Sequence, residues 1–133
     1  MDKDFDRWNR RKKRINASPK NLSFMEGQIW WCSAGLNVGH EIDGKHGTYE
    51  RPFYIIKKCN SKMFIGVPCT TNMEHGSYAY ALNITDGNFM LNFSQVKSMS
   101  VKRLLRRMTN IPEPIEERIK KSFLRYINRK PAD

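Results

Sequence analysis

Residues 50–71 read ERPFYIIKKCNSKMFIGVPCTT. Two apolar runs flank a short polar link, NSK, and the pattern predicts an antiparallel β-hairpin. In such a hairpin the ends remote from the turn are neighbours. Arg51 begins the first run and Thr70 ends the second, so the pairing brings both to one place. Pro52 lies near the start of its strand, where a missing N–H is tolerated. Gly66 and Pro68 interrupt the second run, which predicts a bend or bulge at a sheet edge.

Upstream, GQIWWCSAG (27–35) predicts a first strand. The connection LNVGHEIDGKHGTYE (36–50) is too polar for a core and long for a hairpin loop, which marks it as a functional loop. Asp43 and Glu50 flank glycines there and are read as solvated. Residues 2–16, DKDFDRWNRRKKRIN, predict a short helix with acidic residues at its start and basic residues at its end. Phe5 and Trp8 would share one face of it, with Ile15 further along. NASPKN then reads as a linker. The chain thus divides into a basic, helical extension over 1–26 and a main domain over 27–133.

Downstream, NMEHG (72–76) reads as a loop. SYAYAL and FMLNFSQVKSMS predict further strands, with Asp86-Gly87-Asn88 as the turn between them. SVKRLLRRM predicts a short helix capped by Ser100. IPEPIEERIKKSFLRYINRK predicts a longer helix, with Pro114 in its first turn and basic residues at its end. Its stripe of Ile115, Ile119, Phe123, Tyr126 and Ile127 faces a core. Many short strands followed by a helix imply a mainly β fold, a small bent sheet or barrel closed by a C-terminal α-helix.

The bulk composition narrows the function. At 133 residues the chain is one domain, long enough to build a core without disulfides. No apolar run approaches a membrane span, and the charged N-terminus is no secretory leader, so a cytoplasmic protein is expected. The net charge is +11. Residues 1–26 hold eight Lys/Arg against four Asp/Glu, and residues 27–133 hold sixteen against nine. The main domain is therefore basic in its own right, which favours an anionic partner: nucleic acid, an acidic protein or a membrane surface. Cys32, Cys59 and Cys69 form no C-x-x-C pair and read as reduced thiols. His40, His46 and His75 are scattered, so no metal site or cofactor is expected.

Cleaving RNA without metal requires a proton acceptor for the 2′-hydroxyl, a cation on the phosphorane and donors to its oxygens. An arginine fork suits the phosphorane, a threonine hydroxyl can donate beside it, and a histidine or carboxylate can move protons. Arg51, Thr70, Thr71, His40 and Glu41 all lie near predicted strand ends. Taken singly, Arg51 also reads as a surface or ion-paired arginine, and Thr70 as a strand-end hydroxyl bonding to backbone.

Five segments, in order, give the chain a resemblance. GQIWW (27–31) resembles an opening G-[DE]-I-W, GHE (39–41) a G-[SH]-E loop, and RPF (51–53) an R-P-V. VPCTT (67–71) resembles V-P-[CLV]-T-[TS], and SQVKSMSVKRL (94–104) resembles a [DS]-Q-[VI]-[RK]-[ST]-I segment. Together they resemble the MazF/PemK family of toxins from bacterial type II toxin–antitoxin systems. That resemblance implies a small SH3-like β-barrel of the CcdB/MazF/PemK type, assembled as a homodimer. It implies a metal-independent endoribonuclease acting on single-stranded RNA, mRNA in particular, at short sequences. Products would carry 2′,3′-cyclic phosphate and 5′-hydroxyl ends, and an acidic antitoxin protein would neutralise the activity.

Carried over residue by residue, the resemblance makes Arg51 and Thr70 catalytic. It gives His40 and Glu41 roles in catalysis or RNA binding, and it places Thr71, Ser94, Gln95 and Lys97 along the RNA. Tyr49 is the loop aromatic on which a base would stack. Ser94 stands where some members carry an acidic residue, which removes a carboxylate base from that position. The acceptor of the 2′-hydroxyl proton stays open among His40, Glu41 and a water. Two other readings stand beside this one. A CcdB-like gyrase poison would need an apolar, Trp-containing C-terminus, whereas this chain ends NRKPAD. A catalytically silent nucleic-acid-binding module has to account for both Arg51 and Thr70.

Overall fold

The computed structural model describes residues 2–45, 47–71 and 79–131. Helix α1 (Phe5–Ala17) is followed by strands β1 (Gln28–Ser33), β2 (Glu50–Lys58) and β3 (Met63–Thr70). Strands β4 (Ala79–Ile84), β5 (Gly87–Asn92), β6 (Lys97–Ser100) and β7 (Leu104–Asn110) precede helix α2 (Glu113–Asn128). The loop expected at 72–76, with His75, lies outside the described residues, as does His46. Among the described residues no helix is long and apolar enough to cross a membrane.

The strands form one curled sheet in the order β4-β5-β3-β2-β1-β7, with β6 also on β3. The curl originates in β3. One edge of β3 runs along β2. Its other edge pairs β6 over Met63–Gly66 and then β5 at Cys69 and Thr70. Because β3 is paired along both sides, it is not the sheet edge expected from Gly66 and Pro68, and the register shift of the β2–β3 pair falls between Ile55 and Lys57 of β2, with Gly66 opposite Ile55. A Cβ on Gly66 would meet Met99 Sδ at 2.9 Å, so the close approach requires glycine.

Alternation along the strands feeds two cores. Tyr54 and Ile56 join Ile29, Val67, Leu91 and Phe93 in a cluster that packs on α2. Phe53 and Ile55 point the other way, into a cluster with Trp30, Phe64, Met99 and Leu104. A strand buried on both faces explains why residues 53–56 read as an unbroken apolar run. On α2, Ile119 is fully buried, and Ile115, Phe123 and Tyr126 pack against the first cluster. The Phe123 ring meets Phe93 edge-on at 5.3 Å. Burying each such side chain contributes about 1.5–3 kcal/mol. Ile127, expected in the same stripe, is instead 58% exposed.

The helix expected over SVKRLLRRM is not there. Ser100 does cap a turn, accepting from Lys102 N at 3.1 Å, but the turn is a 3-10 helix of three residues, Val101–Arg103. From Leu104 the chain becomes β7 and pairs with β1. Backbone pairing with an otherwise unfilled edge of β1 outweighs the helical preference of Leu and Arg.

Helix α1 begins at Asp4, whose carboxylate accepts from Arg7 N at 3.0 Å. It buries Trp8 and leaves Phe5 46% exposed. The connecting segment also packs on the sheet, with Phe24 buried in the second cluster. Lys20 Nζ donates to Leu104 O at 2.6 Å.

Candidate functional site

The β2–β3 register pairs Phe53 with Pro68. Two residues further from the turn on each strand stand Arg51, paired with Cys32 of β1, and Thr70, paired with Met90 of β5. The two are 8% and 6% exposed. Both line a cleft of about 260 Å³ with Trp31, Lys45, Phe89 and Arg106. Arg51 is fixed by backbone: its Nε donates to Asp43 O at 2.7 Å and its Nη1 to Cys69 O at 3.3 Å. Burial pulls its pKa down from the ordinary arginine value, and the neighbouring Cys69 and Asp43 act to hold it up. A guanidinium starts so high that it stays charged at neutral pH. The cleft thus has a rigid, partly desolvated cation at its floor and a threonine beside it.

Thr71 continues from the end of β3, exposed at the edge of the same cleft. Glu50 lines it too and receives Arg106 Nη1 at 3.0 Å, so Glu50 is not the solvated carboxylate expected. The Arg106 guanidinium lies over the Trp31 ring, 5.0 Å from its centroid. Sequence reasoning missed Trp31 and Arg106. Arg106 was hidden in the misread helix; as a residue of β7 it reaches the site through pairing with Trp31.

The other expected site residues gather elsewhere. Glu41, Ser94, Gln95 and Lys97 line a second pocket of about 240 Å³. Gln95 ties the loop down, since its Oε1 accepts from Ile42 N at 3.0 Å and its Nε2 donates to His40 O at 2.9 Å. Ser94 Oγ donates to Asn92 Oδ1 at 2.6 Å. Glu41 Oε1 accepts from Val38 N at 2.9 Å. Burial lowers the Lys97 pKa, the nearby Arg103 lowers it further, and Glu41 works against both. The His40 ring is exposed and lines neither pocket among the described residues.

Tyr49 corrects the sequence reading most. It is 7% exposed, so no base can stack on it. Its ring packs against Trp8 at 5.3 Å, with its backbone in the left-handed region at φ 56°. Its carbonyl accepts from Ala34 N at 2.9 Å and Gly35 N at 3.1 Å. Gly35, at φ 80°, is where the Trp8 ring presses on the backbone, and a Cβ would collide with it. Asp43, expected to be solvated, accepts from Asn37 N at 2.6 Å and pairs with Lys3 Nζ at 2.9 Å. Lys3 also donates to Asn37 O at 2.6 Å. Helix α1 and the residue before its cap therefore brace the loop whose Asp43 carbonyl holds Arg51.

Among the described residues no three His, Cys, Asp or Glu side chains converge on a metal-sized site. Burial pushes the Cys69 thiol up to about 12, so it is no thiolate nucleophile at neutral pH.

No protein-family model matches the chain, and no curated protein matches it by sequence. Solved structures do match in fold. One is an endoribonuclease in complex with its cognate antitoxin from Mycobacterial species, with a TM-score of 0.57 and 14% identity. The match covers 82% of this chain and 100% of that one. At that identity the likeness is one of fold: a mainly β, curled sheet with a C-terminal helix.

Proposed function

We propose that this chain is a toxin endoribonuclease of the MazF/PemK kind, cutting single-stranded RNA without metal and silenced by an acidic antitoxin. The observation that carries the reading is the buried Arg51 guanidinium beside Thr70 in one cleft. Two of its N–H groups are spent on backbone carbonyls, which fix the plane of the fork; the others are left for a phosphate. As the 2′-oxygen attacks phosphorus, negative charge grows on the phosphoryl oxygens. Arg51 meets that charge in a site already partly dry, where it needs no reorganisation. Thr70 supplies a hydroxyl beside it.

The 2′-hydroxyl proton is assigned to Glu50. Its carboxylate lines this cleft, whereas Glu41 lies in the other pocket and His40 in neither. As the P–O5′ bond breaks, the leaving 5′-oxygen takes a proton from solvent water, giving a 2′,3′-cyclic phosphate and a 5′-hydroxyl, and Glu50 returns its proton to water. Trp31, half-buried under Arg106, offers the ring on which a splayed base can stack, in place of Tyr49. The basic surface suits both RNA and an acidic antitoxin, and the fold neighbour's own complex with its antitoxin supports such a partner. A homodimer belongs to the same reading.

The test is purified protein on a long RNA with EDTA present, with product ends mapped. Cleavage to cyclic-phosphate ends is expected. Arg51→Ala and Thr70→Ala each lose about 10²–10³-fold in rate, the usual cost of removing one transition-state donor. Arg51→Lys does not restore it, because a point charge cannot replace the fork. Glu50→Gln loses about 10²–10⁴-fold in rate, the usual contribution of a positioned general base. Folded wild-type protein that leaves every RNA intact, or that cleaves equally well without Arg51, would overturn the proposal.

A further inference from the structure

A further cleft belongs to neither pocket above. It measures about 380 Å³ and lies between the basic end of α1 and the turn from β6 to β7. Lys12 and Lys13 line it from the helix, and Lys102 and Arg103 from the turn. No carboxylate is among its lining residues; Asn16, Ser100 and Ile15 complete it. The cleft exists because α1 is fastened across it: Lys102 Nζ donates to Asn16 O at 2.6 Å. Arg103 is anchored as well, donating to Ser33 O at 2.9 Å.

Four cations held close together with no counter-charge repel one another and favour any polyanion that enters. We propose that this cleft holds backbone phosphates of the same RNA strand that enters the Arg51 cleft, as a second anchor that reads no sequence. The proposal rests on the RNA reading given above. Two features favour a nucleic-acid backbone over an acidic peptide. Ile15 gives an apolar wall against which a sugar can lie. The cleft is also continuous in charge with the Gln95 pocket, since Arg103 is near enough to depress the Lys97 pKa. Positive charge therefore runs from the braced loop to the end of α1.

The test uses Lys12→Ala/Lys13→Ala in the full chain. Both side chains are exposed on a helix, so an unchanged melting temperature is expected. The probes are 2′-O-methyl oligonucleotides, which lack the attacking hydroxyl. One is about 4 and the other about 16 nucleotides long, spanning the usual range of single-strand site sizes. The double variant should bind the longer probe more weakly. The slope of log K against log salt should fall by about 1.4, the share of two phosphate contacts on a single strand. Binding of the shorter probe should not change. An unchanged slope for the longer probe overturns the proposal. So does equal weakening of both probes, which would be a loss of general charge, or a loss confined to an acidic peptide probe. A slope change in a protein that cleaves no RNA would sink the endoribonuclease reading and leave this anchor standing.

Discussion

The facing ends of β2 and β3 and the loop over residues 36–49 bound the same cleft, but they are held in different ways. Arg51 and Thr70 sit in paired strands, Arg51 opposite Cys32 of β1 and Thr70 opposite Met90 of β5, with apolar side chains packed on both faces of the strands beneath them. The loop has no such ladder. Beyond the local Lys45–Glu50 bridge and the backbone bonds of Gly44 N to Gly35 O and of Ala34 N and Gly35 N to Tyr49 O, single ties hold it: Trp8 under Tyr49, Lys3 on Asp43, and Gln95 on the backbone of His40 and Ile42. Those ties come from residues far away in sequence. The strand ends are positioned by the fold itself, whereas the loop is positioned by a helix and a side chain that could be lost without losing the sheet. A segment with few buried contacts of its own opens at low cost once its ties are cut.

Removing the brace should separate the two regions most. Trp8→Ala deletes a buried indole and should cost about 3–5 kcal/mol if the space does not collapse. Hydrogen exchange should show the loss in residues 36–49 before it appears in β2 and β3. Uniform loss of protection would mean that brace and sheet form one cooperative unit. Cutting a smaller tie gives a smaller effect. Gln95→Ala removes two side-chain bonds to loop backbone and should weaken RNA binding by about 1 kcal/mol, roughly fivefold. The melting temperature should barely move. A large drop in melting temperature would instead make Gln95 part of the framework.

The smallest effect concerns the closed side of the cleft. Cys59 is exposed and Cys69 is buried. Alkylation at neutral pH should label Cys59 alone and leave activity intact. Rapid labelling of Cys69 would show that the strand ends open as readily as the loop.

The sequence made the strand-end half of the site legible. Two apolar runs joined by a short polar turn were enough to place Arg51 near Thr70, and Pro114 in a first turn with an apolar stripe was enough for α2. The loop half was not legible, because its order depends on contacts between distant residues. Tyr49 looked like a free aromatic until Trp8, from the N-terminal helix, was found against it. Residues 104–108 carry helix-favouring side chains, and only the vacant edge of β1 turns them into a strand. Misreading them concealed Arg106, and with it the cation on Trp31.

The central claim is that Arg51 and Thr70 act together on one phosphate, and a double-mutant cycle on RNA cleavage tests it most directly. Rates are measured for the wild type, Arg51→Ala, Thr70→Ala and the double variant, each shown to be folded. Groups that serve one transition state are strongly non-additive. The double variant should therefore be within a few-fold of Arg51→Ala alone, with an interaction energy at or above the usual range of about 0.5–3 kcal/mol for residues in contact. Losses that simply multiply would mean that the two residues act independently, and the shared-phosphate account would be wrong.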